Sequence, residues 1–166
     1  MPIEGPVRVL VVDDHAGIRH GIANLIDAER PRMLSVGAAA TVDEALAQTR
    51  EQQPDVVVLD VNLGGEDGLA LIPALRHAAP CEIVVLTCLV DPHVAVQARR
   101  LGACACLHKT APAAELLACI LAAGRADEQA ATAPPANGGG ALSYAPGSKH
   151  PSAMGDTADA DPGTAA

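Results

Sequence analysis

From residue 7 the chain alternates between two hydrophobic patterns. Short apolar runs recur at Val7 to Val12, Met33 to Ala38, Val56 to Leu59 (a strand that closes on Asp60), Glu82 to Leu86 and Ala103 to Leu107. They are short, continuous and rich in β-branched residues, so they read as strands covered on both faces. Between them, apolar residues fall three or four apart, the spacing of a helix that buries one stripe. Ala16 to Asp27 turns Ile18, Ile22, Leu25 and Ile26 inward, and the segment after Thr41 does so with Val42, Ala45, Leu46 and Thr49. Gly68 to His77 and Pro92 to Leu101 are the next two helices. In the last one, Leu116, Leu117, Ile120 and Leu121 form the inner face. Alternating strands and helices with short connections predict an α/β fold, a five-stranded parallel sheet with helices on both faces.

Local signals sharpen the boundaries. Asp14 is the expected N-cap of the first helix, and Thr41-x-x-Glu44 spells a capping box for the second. Pro54 ends that helix. Pro73 lies inside the third and is expected to kink it. Asp91-Pro92 reads as a cap followed by a first-turn proline, and Gly102 as the stop. Thr110 is expected to cap the last helix, with Pro112 in its first turn. From about Gly124 the periodicity disappears into Pro134-Pro135, Gly138-Gly139-Gly140 and Pro146-Gly147. The expected organisation is a folded domain over residues 6–124 and a disordered Ala/Gly/Pro-rich tail over 125–166.

Composition narrows the function. The chain has 166 residues, 49% of them hydrophobic, yet no Trp, no Phe and only Tyr144, so the core must be aliphatic. A net charge of −9 argues against a basic nucleic-acid face. No apolar run is long enough for a membrane span, and no signal peptide is evident. The five cysteines (Cys81, Cys88, Cys104, Cys106 and Cys119) fit no zinc or redox spacing. They are expected to be reduced, small hydrophobes, four of them in apolar surroundings, in a cytoplasmic protein.

The chemistry sits at the ends of the apolar runs. Asp13-Asp14 follow the first, Asp60 the third, Thr87 the fourth and Lys109 the fifth. Parallel strands end on one edge, so these groups converge if their strands are neighbours. Crowded carboxylates repel one another and raise each other's pKa unless a cation intervenes. Oxygen donors without His or Cys point to a hard cation, with Mg2+ favoured because it combines carboxylates, water and phosphate. Lys109 and Thr87 add a positive charge and a hydroxyl donor for a phosphoryl group carried on a carboxylate. His15, His20, His77, His93 and His108 show no metal spacing and are expected to be solvated.

On these residues, Val7 to Ala123 resembles a response-regulator receiver domain of bacterial two-component signalling. Asp13-Asp14, Asp60, Thr87 and Lys109 match the family's order, as do the loop from Asp60 to Gly68 and the approach Gly102-Ala-Cys-Ala-Cys-Leu-His-Lys109. The resemblance implies the flavodoxin-like strand order 2-1-3-4-5. It implies Asp60 as phosphoacceptor, with Mg2+ bound by Asp14, Asp60 and the Asn62 carbonyl, and by Asp13 through water. Thr87 and Lys109 would hold the phosphoryl group. The implied donor is a histidine kinase or histidine phosphotransfer protein, and the output is a downstream protein partner rather than nucleic acid or membrane; a homodimer through the last helix is left open. The surroundings of Asp13-Asp14-His15 and of Lys109-Thr110-Ala111-Pro112 resemble the subfamily that normally carries a C-terminal helix-turn-helix output domain. The tail has no basic amphipathic helices of that kind.

Two positions depart from the family. Gly64 stands where Pro is usual. Cys106 stands where the family carries Tyr or Phe three residues before its Lys. The latter motivates an alternative, a phosphorylation-independent adaptor or decoy. A third reading, a phosphatase of the haloacid dehalogenase type, needs a second Asp two residues after the first, where Asn62 stands, so the expectation is not an enzyme.

Overall fold

The computed structural model of the protein describes residues 5–126, apart from residue 90. The expected tail therefore lies almost wholly outside the described residues. Five parallel strands form one sheet: β1 (Val7–Val12), β2 (Met33–Ala39), β3 (Val56–Asp60), β6 (Glu82–Thr87) and β7 (Ala105–His108), in the order β2-β1-β3-β6-β7. This is the 2-1-3-4-5 order. Helices α1 (Ala16–Ala28), α2 (Val42–Gln52), α3 (Ile72–Ala78), α4 (Pro92–Leu101) and α5 (Ala113–Gly124) connect and follow the strands. The loop after β3 closes as a two-residue hairpin, β4 (Asn62–Leu63) against β5 (Glu66–Asp67).

Successive strand residues point to opposite faces of the sheet, so each strand feeds two cores. On one face Val7, Val9, Val11, Val56, Val58, Val84 and Leu86 pack with Ile22 and Ile26 of α1 and with Leu116, Ile120 and Ala123 of α5. On the other, Leu10, Val12, Val57, Leu59, Ile83 and Val85 pack with Ala45 of α2, Ile72 and Leu75 of α3 and Ala98 of α4. The two aliphatic cores fill without any aromatic ring.

Several local expectations are corrected. Asp14 does not cap α1. His15 occupies that position without a side-chain bond, and the amide of His15 is taken by Asp13 Oδ1 at 2.8 Å. In α1 only Ile22 and Ile26 are buried, while Ile18 and Leu25 are 37% and 39% exposed. A helix lying on the edge of the β1–β2 pair is covered over a narrower arc than its apolar stripe. Pro73 does not kink a helix. A 3-10 turn over Gly68–Leu71 comes first and Pro73 falls in the opening turn of α3, where its missing N–H has no partner to lose. The fifth strand starts two residues later than expected, and Thr110 does not cap α5; its N-cap position is Pro112.

Other signals hold. Thr41 Oγ1 accepts from Glu44 N at 3.2 Å, and the Glu44 carboxylate returns to Ala40 N rather than to Thr41. Asp91 Oδ1 accepts from His93 N at 2.8 Å, and Gly102 ends α4 at φ 112°, a left-handed conformation glycine adopts without strain.

Gly68 ties the fold to the strand end. Its amide donates to the Val61 carbonyl at 2.6 Å, and a Cβ there would collide with the Asp60 carbonyl. Glycine is needed at Gly68 for this close approach rather than for an unusual φ.

The burial difference within α1 makes a direct prediction. Ile26→Ala should lower unfolding free energy by about 2–5 kcal/mol, as for other fully buried aliphatic truncations. Ile18→Ala should stay within about 0.5 kcal/mol. Urea unfolding of both variants checks this; equal losses would contradict the narrow buried arc.

Candidate functional site

The site is built where β1, β3 and β7 end. The pleat decides which side chains meet. Asp60 continues the parity of Val56 and Val58, and Lys109 that of Ala105 and Leu107, all on the α1/α5 side of the sheet. Asp13 likewise follows Val9 and Val11. Lys109 Nζ lies 2.8 Å from Asp13 Oδ2 and 2.8 Å from Asp60 Oδ2. Asp13 and Asp60 are only 1% and 4% exposed, so the ammonium is their principal counter-charge. β6 lies between β3 and β7 in the sheet, and the long Lys stem carries its charge across that width.

Other oxygens of the site accept from backbone amides. Asp60 Oδ1 accepts from Asn62 N at 3.2 Å, and Asp14 Oδ2 from Gly64 N at 3.0 Å. Asn62 Oδ1 accepts from Gly65 N at 2.9 Å, which closes the β4–β5 turn beside the site. Asp14 Oδ1 is buried and accepts no hydrogen bond; His15 Nδ1 is 2.8 Å away but not directed at it as a donor. Carboxylate oxygens of Asp13, Asp14 and Asp60 and a ring nitrogen of His15 all lie within 4.8 Å of one another.

Burial alone would lower the Lys109 pKa. The hydrogen bonds and negative charges of Asp13 and Asp60 outweigh that effect and hold it above its ordinary value. Lys109 is thus a fixed positive charge at any neutral pH.

Thr87 sits on the other side of the pleat. It follows Ile83 and Val85 toward α4, is buried, and its Oγ1 accepts from Leu89 N at 3.0 Å. The Lys109 amide donates to the Thr87 carbonyl at 2.8 Å, which fixes β7 beside β6 at the level of the site. All the residues expected to form the site therefore end on one edge of the sheet. Asp13, Asp60 and Lys109 share the α1/α5 side, Asp14 and Asn62 lie alongside, and Thr87 approaches from the α4 side.

Two expectations about other residues are corrected. His108 is not free in solvent but has partners at both ring nitrogens, whereas His15 lies against Asp13 and Asp14 with its side chain still 66% exposed. The cysteines are less buried than expected. Only Cys81 is buried; Cys88 and Cys104 are exposed, and Cys106 and Cys119 half-buried. None is paired. Burial pushes the Cys81 thiol up to about 11, so it stays protonated near neutrality.

The response regulator receiver domain model matches residues 9–121. Transcriptional regulatory protein LiaR of Bacillus subtilis is 32% identical over 122 residues, which are 73% of this chain and 57% of LiaR. The chain thus spans little more than half of that relative. The signal receiver domain of the response regulator NarL from Mycobacterium tuberculosis superposes with a TM-score of 0.68 at 28% identity, covering 73% of this chain and 98% of that one. A response regulator from Burkholderia pseudomallei, solved with a phosphorylated aspartic acid, calcium ion and citrate, superposes with a TM-score of 0.63 at 29% identity over 76% of this chain and 75% of that one. With this sheet order and these strand ends, the chain belongs to the response regulator receiver domain family of two-component systems.

Proposed function

We propose that this chain is a phosphorelay acceptor: Asp60 takes a phosphoryl group from the phosphohistidine of a histidine kinase or histidine phosphotransfer protein, and the modified domain signals through contact with a protein. The observation that carries this reading is the Lys109 ammonium held between two buried carboxylates, with Asp14 beside them. In the transfer, an Asp60 carboxylate oxygen forms a bond to phosphorus while the phosphorus–nitrogen bond of the donor breaks. The electron pair leaves with the donor imidazole, which takes up a proton. Lys109 and the Thr87 hydroxyl are the groups of this chain that would hold the transferred oxygens, and the Asn62 amide keeps the Asp60 carboxylate oriented.

The donor set fits a hard divalent cation such as Mg2+. Three carboxylates face one ammonium, and the buried Asp14 Oδ1 lacks a donor. Asp14, Asp60 and the Asn62 carbonyl would hold the ion directly and Asp13 through water. When bound, it supplies positive charge that offsets repulsion between the carboxylates and an incoming phosphoryl group. The proposed setting is cytoplasmic, in keeping with five unpaired thiols. No helix among the described residues is long and apolar enough to cross a membrane.

A second reading, docking that does not depend on phosphorylation, is favoured by Cys106 standing where the family carries an aromatic ring. Retention of full partner binding by Asp60→Ala would select it.

Two outcomes follow from the charge arrangement. With a phosphohistidine donor or acetyl phosphate and Mg2+, intact-mass analysis should show one added phosphoryl group, absent in Asp60→Asn. Asp14→Asn should raise the Mg2+ needed for half-maximal modification by roughly tenfold or more, since losing even an outer-shell partner has that effect. Unchanged modification of Asp60→Asn would sink the proposal.

The second outcome concerns alkaline stability. A raised folded pKa means that Lys109 contributes in full below the unfolded lysine value of about 10.4. The contribution is lost as pH rises through the folded value. As pH rises above about 10.4 the wild type should therefore lose more stability than Lys109→Met, by urea midpoints at each pH. Parallel curves for the two proteins would refute a raised Lys109 pKa.

A further inference from the structure

His108 is the last residue of β7, and its side chain falls on the same side of the pleat as Cys106, facing α4 rather than the acidic groups. Both of its ring nitrogens are used. Nε2 lies 3.0 Å from the Cys88 carbonyl, and Nδ1 lies 2.6 Å from Thr110 Oγ1 and 3.1 Å from the Thr110 amide. A carbonyl only accepts, so Nε2 must carry the proton. An amide only donates, so Nδ1 must be the acceptor. The two neighbours together select the neutral Nε2–H tautomer.

This ring joins two segments that lie about twenty residues apart in sequence. One is the turn from Lys109 to Thr110, which carries the ammonium of the site. The other is the β6–α4 loop, starting at Thr87. Within that loop the Thr87 hydroxyl oxygen already accepts from the Leu89 amide at 3.0 Å. Cys88, whose carbonyl His108 holds, is the residue between them. Among the described residues of that loop, Cys88 is exposed and Leu89 is 61% exposed. A group on Asp60 that draws the Thr87 hydroxyl toward itself must disturb the Thr87–Leu89 turn, and with it the carbonyl His108 grips.

We propose that His108 is a positioning residue for the phosphoryl site: its Nε2–H bond to Cys88 holds the β6–α4 loop in the resting arrangement and opposes recruitment of the Thr87 hydroxyl. The proposal rests on the reading of Asp60 as the acceptor. His108 acts through Thr87 and touches neither donor nor phosphoryl group. Filling the site breaks the Nε2 bond, so the loop that begins at Cys88 is released only when Asp60 is occupied.

Beryllofluoride with Mg2+, the probe used in place of a phosphoryl group, tests this on the full chain. Nitrogen-15 spectra of the imidazole should show the Nε2–H tautomer in the free protein and loss of its slow-exchanging Nε2 proton on addition of the probe. His108→Leu should speed amide exchange at residues 88–91 before any probe is added. It should also bind the probe roughly threefold or more tightly, about the worth of one net hydrogen bond. His108→Gln, which keeps a side-chain N–H donor, should return both properties toward wild type. An Nδ1–H tautomer in the free protein overturns the proposal without any variant. So does a probe that shifts the Asp60 and Lys109 amides while leaving the His108 ring signals unchanged, or equal probe affinity in wild type and His108→Leu. If the probe moves no signal at Asp60 in any variant, the acceptor reading itself falls, and this proposal falls with it.

Discussion

One ammonium group shared by two buried carboxylates sets the terms for this structure. Asp13 and Asp60 are almost fully removed from water, and an unpaired carboxylate in such a place costs several kcal/mol. Lys109 meets both at 2.8 Å, which makes the edge of the sheet tolerable. The sheet order is part of that interaction. β1 and β3 must be neighbours to bring the two carboxylates together, and β7 must lie one strand beyond for a lysine to reach them across β6. A different order would leave buried acids without a counter-charge.

The strand runs were legible because double burial forces continuous apolar segments, and the parallel sheet because strands alternate with helices; the strand order came from the family resemblance. β3 was read to the residue. The convergence of Asp13, Asp14, Asp60, Thr87 and Lys109 followed from the same reasoning, since parallel strands end together. What failed was local. Asp14 looked like a cap, but its carboxylate is taken by Gly64 N from the β4–β5 turn, a partner fifty residues away. Thr110 looked like a cap too, but its hydroxyl meets the ring of His108. In both cases a short polar side chain had a choice of amides or ring atoms, and tertiary proximity decided it. The cysteines and the outer stripe of α1 were judged too buried for a related reason. Hydrophobic spacing gives the direction a residue faces but not how much neighbouring chain covers it.

The pleat divides the site's chemistry into two kinds. On the α1/α5 side sit the charged groups Asp13, Asp60 and Lys109. On the α4 side sit neutral groups joined by directed hydrogen bonds, Thr87, the Cys88 carbonyl and His108. The division follows from odd and even positions along four strands, and a one-residue slip in any of them would exchange the two. Charge responds to a cation or an anion over a distance, whereas a hydrogen bond responds only to movement of its partners. Thr87 is where the two meet, because its hydroxyl is within the β6–α4 turn while its carbonyl accepts from the Lys109 amide.

The balance of charge then explains why the pocket is built to receive something. One ammonium cannot offset three carboxylates, and Asp14 Oδ1 is left buried without a donor. Structures seldom keep such an atom for stability, since an orphaned buried acceptor is destabilising. A divalent cation would cancel that deficit, and the phosphoryl group proposed on Asp60 would then meet a pocket without excess negative charge. The backbone has been arranged for the same purpose. Gly68 brings the chain so close to the Asp60 carbonyl that no side chain fits there, and this fixes the acceptor strand end against the turn that carries Asn62. The features that weaken the resting domain are therefore the ones that the proposed ion and phosphoryl group would offset.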